Sequence, residues 1–97
     1  SIDFMENTGR TVLTDGAHGR RYFDLKKAEE VLKAHSGISQ ASCYMIYDPE
    51  ERDMVLKAEV HLSDRNSKET IDTAQIIQEL QEKYGELVAP KYMEIVG

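Results

Sequence analysis

Residues 54–62 read Met-Val-Leu-Lys-Ala-Glu-Val-His-Leu, and this run constrains the fold more than any other part of the chain. Successive side chains of a strand point to opposite faces. The run therefore predicts a strand with Met54, Leu56, Ala58, Val60 and Leu62 facing a core, and Val55, Lys57, Glu59 and His61 on a mostly wet face. Such a strand needs a neighbour, and its apolar face needs a cover. Residues 38–47 supply the neighbour: Ala41, Cys43, Met45 and Tyr47 fall on one face, Tyr44 and Ile46 on the other. Between the two runs lies Asp48-Pro49-Glu50-Glu51-Arg52-Asp53, a turn by composition, so the strands pair antiparallel.

Two helices provide the cover. Asp24 is placed to cap a helix from Leu25 to about His35, with Leu25, Ala28, Val31 and Leu32 as its apolar stripe. Glu29 and Lys33 form a favourable pair on its wet side, and Gly37 is placed to end it in a left-handed conformation. After a polar loop over residues 63–70, Asp72 can accept from the amide of Gln75, and Ile71 and Ile76 stand at the spacing of a hydrophobic staple. Ile76, Ile77, Leu80 and Tyr84 make the second stripe and Gly85 closes that helix. Pro90 prevents its resumption, and residues 92–96 read as a last strand. Ahead of all this, residues 11–13 and 21–23 are β-prone around Asp15-Gly16-Ala17-His18-Gly19, which reads as a hairpin. The expected class is α+β: a small mixed sheet with two packing helices, an N-terminal hairpin followed by αββαβ order.

A chain of 97 residues fits one domain with a modest core. Its net charge of −6 argues against nonspecific nucleic-acid binding, which needs an accumulated positive field. No apolar run suits a membrane span, no secretory leader is visible, and the single Cys43 cannot form an internal disulfide. The expected compartment is the cytoplasm. Chemistry-bearing residues are scattered. His18, His35 and His61 fall in a turn, at a helix end and on a strand, without the spacing of a zinc site, so no metal ligands are assigned. Cys43 reads as core filling. Gly16-x-x-Gly19 followed by Arg20 and Arg21 lacks the Lys-Ser/Thr end of a P-loop and reads first as a tight turn, although glycine permits close approach of backbone to a ligand. Glu29-Glu30 and Glu50-Glu51 read as solvated. Residue chemistry alone thus describes a compact domain without a self-contained active site.

Several spaced residues resemble the C-terminal domain of the adenylate-forming superfamily, which includes acyl-CoA synthetases, nonribosomal peptide synthetase adenylation domains and luciferase. Gly9-Arg10-Thr11-Val12 is similar to the start of the interdomain hinge, His18-Gly19 to the basic-Gly turn, and Arg21-Tyr22 to the Arg-hydrophobic step. Asp24-Leu25-Lys26-Lys27-Ala28-Glu29-Glu30-Val31-Leu32 resembles the helix that follows, and His35-Ser36-Gly37-Ile38-Ser39-Gln40-Ala41 the family's His-Pro-Gly-Val-x-x-Ala. Leu56-Lys57-Ala58-Glu59-Val60 and Val88-Ala89-Pro90-Lys91-Tyr92-Met93-Glu94-Ile95-Val96 resemble the two later strands. Three positions depart: Val12 stands where the hinge has Asp or Lys, Gly16 where Lys is common, and Lys27 at the first helix Glu.

The resemblance implies a hinge and remnant of a preceding domain over residues 1–12 and a C-terminal lid domain over residues 13–97. Gly9, Arg10, Thr11 and Val12 would form the hinge, and His18, Gly19 and Arg21 would line a pantetheine tunnel. The family's catalytic lysine is expected beyond Gly97, so the implied catalytic residues within this chain are none and the chain alone is not expected to be an enzyme. The parent would be an AMP-forming acid–thiol ligase using ATP and magnesium, with CoA or phosphopantetheine as acceptor. Implied partners are a larger N-terminal nucleotide-binding domain and CoA or an acyl carrier protein, with no nucleic acid and no membrane. The alternative is a ferredoxin-like regulatory or metal-responsive module, because the same βαββαβ order fits it.

Overall fold

In the computed structural model, residues 10–64 and 68–97 are described. The elements run β1 (Thr11–Gly16), β2 (Gly19–Asp24), α1 (Leu25–Lys33), β3 (Ile38–Asp48), β4 (Asp53–Leu62), α2 (Thr73–Tyr84) and β5 (Tyr92–Ile95). This is the expected α+β class and order. Strands β1 and β2 form an antiparallel hairpin of their own, while β3, β4 and β5 make a separate sheet in that spatial order. Strand β3 pairs antiparallel with β4, with Cys43 opposite Ala58 and Asp48 opposite Asp53, and β5 runs parallel to β4. The sheet is therefore mixed. A ferredoxin-like arrangement would interleave the strand before α1 with the others in one sheet, but β2 stays in its hairpin.

Both helices start where their caps direct. Asp24 accepts from the amide of Lys27 at 2.9 Å and Asp72 from that of Gln75 at 3.1 Å, each satisfying an otherwise orphaned first-turn donor. The stripe Leu25, Ala28, Val31 and Leu32 is buried, with α1 laid against β3. From α2, Ile76 and Leu80 enter the core, Ile71 packs beside it, and Gly85 closes the helix at φ 85°. Phe23, Leu32, Cys43, Leu56, Ala58 and Val60 form the centre of one core, to which the hairpin contributes Phe23.

Three local expectations change. Helix α1 ends at Lys33 rather than near His35, and Gly37 is not left-handed. A Cβ on Gly37 would lie 3.0 Å from Cδ1 of Ile71 and 3.3 Å from the His35 ring, so a side chain there would be tightly packed. Val55, expected on the wet face, is buried beside Leu56, so both faces of β4 are covered at that end. Tyr47 is exposed at the far end of β3. Among the described residues, no helix is long and apolar enough to cross a membrane.

Candidate functional site

The hairpin tip, the β3–β4 turn and the start of β5 converge at one end of the domain. The tip is tighter than expected, with Ala17 and His18 as the only residues between the strands. Neither has positive φ, as a mirror-image hairpin turn would require; Gly19, at φ 82°, makes the reversal instead. No atom lies within 4 Å of where a Gly19 Cβ would stand, so this glycine presents bare backbone to open space. The reverse holds at Gly16, opposite Gly19 in the register. A Cβ there would lie within 2.8 Å of all three atoms of the Asp53 carboxylate group.

Asp53 is the anchor of the tip. It is 3% exposed, and its Oδ2 accepts from the backbone N–H of His18 at 2.8 Å while its Oδ1 accepts from the amide of Met54 at 2.7 Å. The His18 amide, above all, holds the Asp53 carboxyl below its ordinary range, helped by the Met54 amide and the Arg21 cation against the opposing effect of burial. Arg21 reaches Asp53 at 3.2 Å and also donates to the Met54 carbonyl at 3.0 Å. Its second terminal nitrogen lies 3.2 Å from Glu86, and the guanidinium sits 4.9 Å from the centre of the Phe23 ring. Asp53, at the start of β4, thus fixes the backbone of the turn from beneath, with Arg21 of β2 holding its carboxylate.

A second layer joins the tip to β5. The His18 ring nitrogen Nε2 lies 2.9 Å from Glu51, and Glu51 also accepts from Lys91 at 2.7 Å. The Lys91 ammonium donates further to Asp48 at 2.7 Å and to the exposed Glu50 at 3.3 Å, and the Tyr92 hydroxyl donates to the same Asp48 oxygen at 2.7 Å. Lys91 first and Tyr92 second lower the Asp48 carboxyl to about 2, and Lys91 likewise depresses Glu51. In return Asp48, then Glu51, raise Lys91 above the ordinary lysine range. Asp48, Glu50 and Glu51 are grouped as a cation site would require, but the Lys91 ammonium is the cation they hold. Lys91 is itself placed by its amide, which donates to the Leu56 carbonyl at 2.8 Å, while Gln81 donates to the Ala89 and Pro90 carbonyls.

The residues expected to line a tunnel therefore occupy two levels. His18 and Gly19 form the exposed tip, and Arg21 lies beneath it with its side chain 11% exposed. Of the expected hinge residues, Gly9 lies outside the described residues. Thr11 and Val12 belong to β1, paired with Asp24 and Phe23, and Val12 packs against the core. The Arg10 carbonyl accepts from the Leu25 amide at 2.8 Å, and its guanidinium pairs with Glu29. Glu29 also accepts from the amide of Cys43 at 2.8 Å, on the edge of β3 away from β4. Glu29 and Glu51 are thus structural ion-pair members, whereas Glu50 is largely solvated as expected. Sequence reasoning missed Asp48, Asp53 and Lys91, whose partners on other elements are 32 to 44 positions away.

No protein-family model matches the chain, and no curated protein sequence matches it. Solved structures do. The amide bond synthetase McbA from Marinactinospora thermotolerans matches 90% of this chain with 16% of its own, at a TM-score of 0.69 and 18% identity. An acyl-CoA synthetase from Brucella canis matches 84% of this chain with 15% of its own, at 0.63 and 17%. The o-succinylbenzoate CoA synthetase MenE from Bacillus subtilis, solved as a double mutant bound with a product analogue, matches 94% of this chain with 17% of its own, at 0.68 and 14%. The chain therefore has the fold of a small part of these three synthetases and spans about a sixth of their length.

Proposed function

We propose that this chain is the mobile C-terminal domain of an ATP-dependent acyl-adenylate-forming ligase, and that it serves adenylation and thioester formation by changing its orientation against a larger nucleotide-binding domain. The observation that carries the reading is the fold match: nearly the whole chain coincides with one small portion of enzymes about six times its length. In the proposed reaction a carboxylate attacks the α-phosphate of ATP, supplied with magnesium, and pyrophosphate leaves. The thiol of CoA or of a carrier-protein phosphopantetheine then attacks the acyl carbon, its proton is lost, and AMP leaves. CoA and carrier protein are both retained as acceptors.

The residues of this chain would act through geometry. Gly19 offers backbone to an extended arm with no side chain in the way. Asp53 fixes the His18 amide, so the tip would meet the arm without first being ordered. Arg21 would be a positioning residue, acting through Asp53 rather than touching the acceptor. The pairing of Thr11 and Val12 in β1 supports a pivot that would lie before them, at Gly9.

The test separates two half-reactions in the ligase that carries this domain. Carboxylate-dependent ATP–pyrophosphate exchange reports adenylation; transfer to CoA or a phosphopantetheinylated carrier reports thioester formation. Gly19→Val is expected to slow thioester formation on the order of a hundredfold more than exchange, the scale of a misplaced reacting group. Equal loss in both half-reactions, or no exchange with any carboxylate of a broad panel, would overturn the reading.

A further inference from the structure

One edge of β1 is unpaired. Opposed residues of an antiparallel pair alternate between those that exchange both backbone hydrogen bonds and those that exchange none. Thr11 and Asp24 are a pair of the second kind, since the Asp24 amide donates to the Leu87 carbonyl instead. Leu13 with Tyr22 and Asp15 with Arg20 follow in the same phase, so the main-chain groups of Leu13 and Asp15 point away from β2. Among the described residues, no hydrogen bond answers them. Such an edge is a template for another strand unless lysine, proline or a bulge guards it. β1 has none of these, and its one charge, Asp15, stands near the tip.

A groove of about 330 Å³ borders this edge. Consecutive β1 residues from 12 to 16 all line it, and none from β2 does. A hollow over the face of the hairpin would meet alternate residues of both strands, so the groove follows the edge. Tyr47, Arg52 and Met54 stand on its far side. Leu13 and Tyr47, 46% and 58% exposed, offer apolar surface. A cavity of roughly 150 Å³ accepts benzene, so the groove has room for one or two apolar side chains. Arg52 supplies a charge. Its neighbours Glu50 and Glu51 are held by Lys91 and Asp53 by Arg21, while its own guanidinium has no ion-pair partner among the described residues. Asp15 lines the groove too but forms no ion pair with Arg52.

We propose that this groove binds an extended peptide segment of a partner protein, which adds to β1 as a third strand. It would set an apolar side chain between Leu13 and Tyr47 and turn a carboxylate to Arg52. In this mode of recognition main-chain pairing gives the affinity and alternate side chains give the selectivity. The site does not depend on the ligase reading.

The test titrates the ¹⁵N-labelled 97-residue chain with the blocked peptide acetyl-Val-Thr-Val-Glu-Val-amide and follows the Leu13 and Asp15 amides. Both are expected to shift saturably, with a Kd on the order of a millimolar, and to gain protection from hydrogen exchange. Alternate peptide amides face β1 or face away. Methylating the nitrogens of the facing set should abolish binding, while methylating the other set should change it by no more than about threefold. The Gln analogue of the peptide should bind about threefold more weakly, the scale of an exposed ion pair. Arg52→Gly should erase that difference, and glycine suits the backbone there because φ is 55°. Absence of a saturable shift at Leu13 and Asp15 overturns the proposal, and so do equal effects of the two methylated sets. A Gln peptide that binds as well as the Glu peptide, or a difference that persists in Arg52→Gly, does the same. Shifts of the two amides with protein concentration alone would assign the edge to a second copy of the chain and also overturn it. The peptide series needs no variant, so the test stands even if Arg52→Gly fails to fold.

Discussion

Gly16 and Gly19 face each other across the hairpin, yet alanine is expected to fail at the two positions for different reasons. At Gly16 the new methyl would lie within 2.8 Å of the Asp53 carboxylate atoms, nearer than the 3.0 Å that real Cβ atoms respect. Asp53 cannot simply turn aside, because it holds the His18 and Met54 amides and Arg21. Overpacking of this kind costs about 1–3 kcal/mol. For a domain of this size that lowers Tm by roughly 4–8 °C per kcal/mol, hence by about 4–24 °C. At Gly19 nothing is in the way, but φ is 82°, and an L side chain there costs about 1–2 kcal/mol. The two ranges overlap, so single variants cannot separate the causes. A cycle with Asp53→Ala can. In that background Gly16→Ala should cost nothing or stabilise slightly, since Gly16 has no positive φ and alanine restricts the unfolded chain. Gly19→Ala should retain most of its cost there. Urea midpoints and Tm for the six proteins of the two cycles suffice. If Gly16→Ala loses as much without Asp53 as with it, the steric account of Gly16 is wrong.

Acid should loosen the tip in a defined window. Asp48, Glu51 and Asp53 have folded values below their ordinary ones, so their contribution is complete above roughly pH 4 and is lost as pH falls through the folded values, about 2 for Asp48. Lys91 is shifted upward, so its share is complete below the ordinary lysine value, including neutral pH, and is lost as pH rises from there through the raised value. Urea midpoints should therefore fall steeply below pH 4, and Lys91→Met should flatten that slope; an unchanged slope would count against the network. Cys43 is 1% exposed, and burial, with Glu29 adding to it, pushes its thiol up to about 12. Labelling by an aromatic disulfide at pH 8 should run on the order of a thousandfold slower than in urea, through opening alone; comparable rates would refute a closed core at β3. Asp24→Ala and Asp72→Ala should each cost about 0.5–2 kcal/mol by loss of a cap, read from urea midpoints. A neutral result at either position would mean that its helix start is held by packing alone.

What could be read from the sequence was local. The strand at 54–62, the Asp24 and Asp72 caps and the stripe of α1 each depend on residues within a few positions, so spacing alone exposes them. Gly37 shows how a local reading can find the residue and misassign its cause: glycine after a helix suggests a left-handed stop, but its φ is not positive, and Ile71, far along the chain, packs closely against the place a Cβ would take. Glu29 reads as solvated because it pairs with Lys33 on the wet side of α1. Only the approach of α1 to β3 shows that it answers a strand-edge amide, which would otherwise lack a partner. Asp48 and Asp53 are ordinary turn formers by composition. Their further role needs His18, Arg21 and Lys91 from other elements, and no spacing rule joins residues so far apart.

The same distant contacts bear on the motion proposed for the domain. Val12 departs from the charged residue found at the hinge of the resembled family, and its place in β1 beside Phe23 explains why an apolar side chain is suited there. A pivot at Val12 would have to break strand pairing and withdraw a side chain from the core. A pivot that freed Arg10 would take the counter-charge from Glu29 while Glu29 still answers the Cys43 amide. Rotation at Gly9, with Arg10 left on Glu29, keeps every one of these interactions, and glycine lacks the side chain that restricts backbone rotation elsewhere. The domain would then swing as a rigid body with its tip already formed, and the arm it meets would encounter His18–Gly19 in one geometry rather than several.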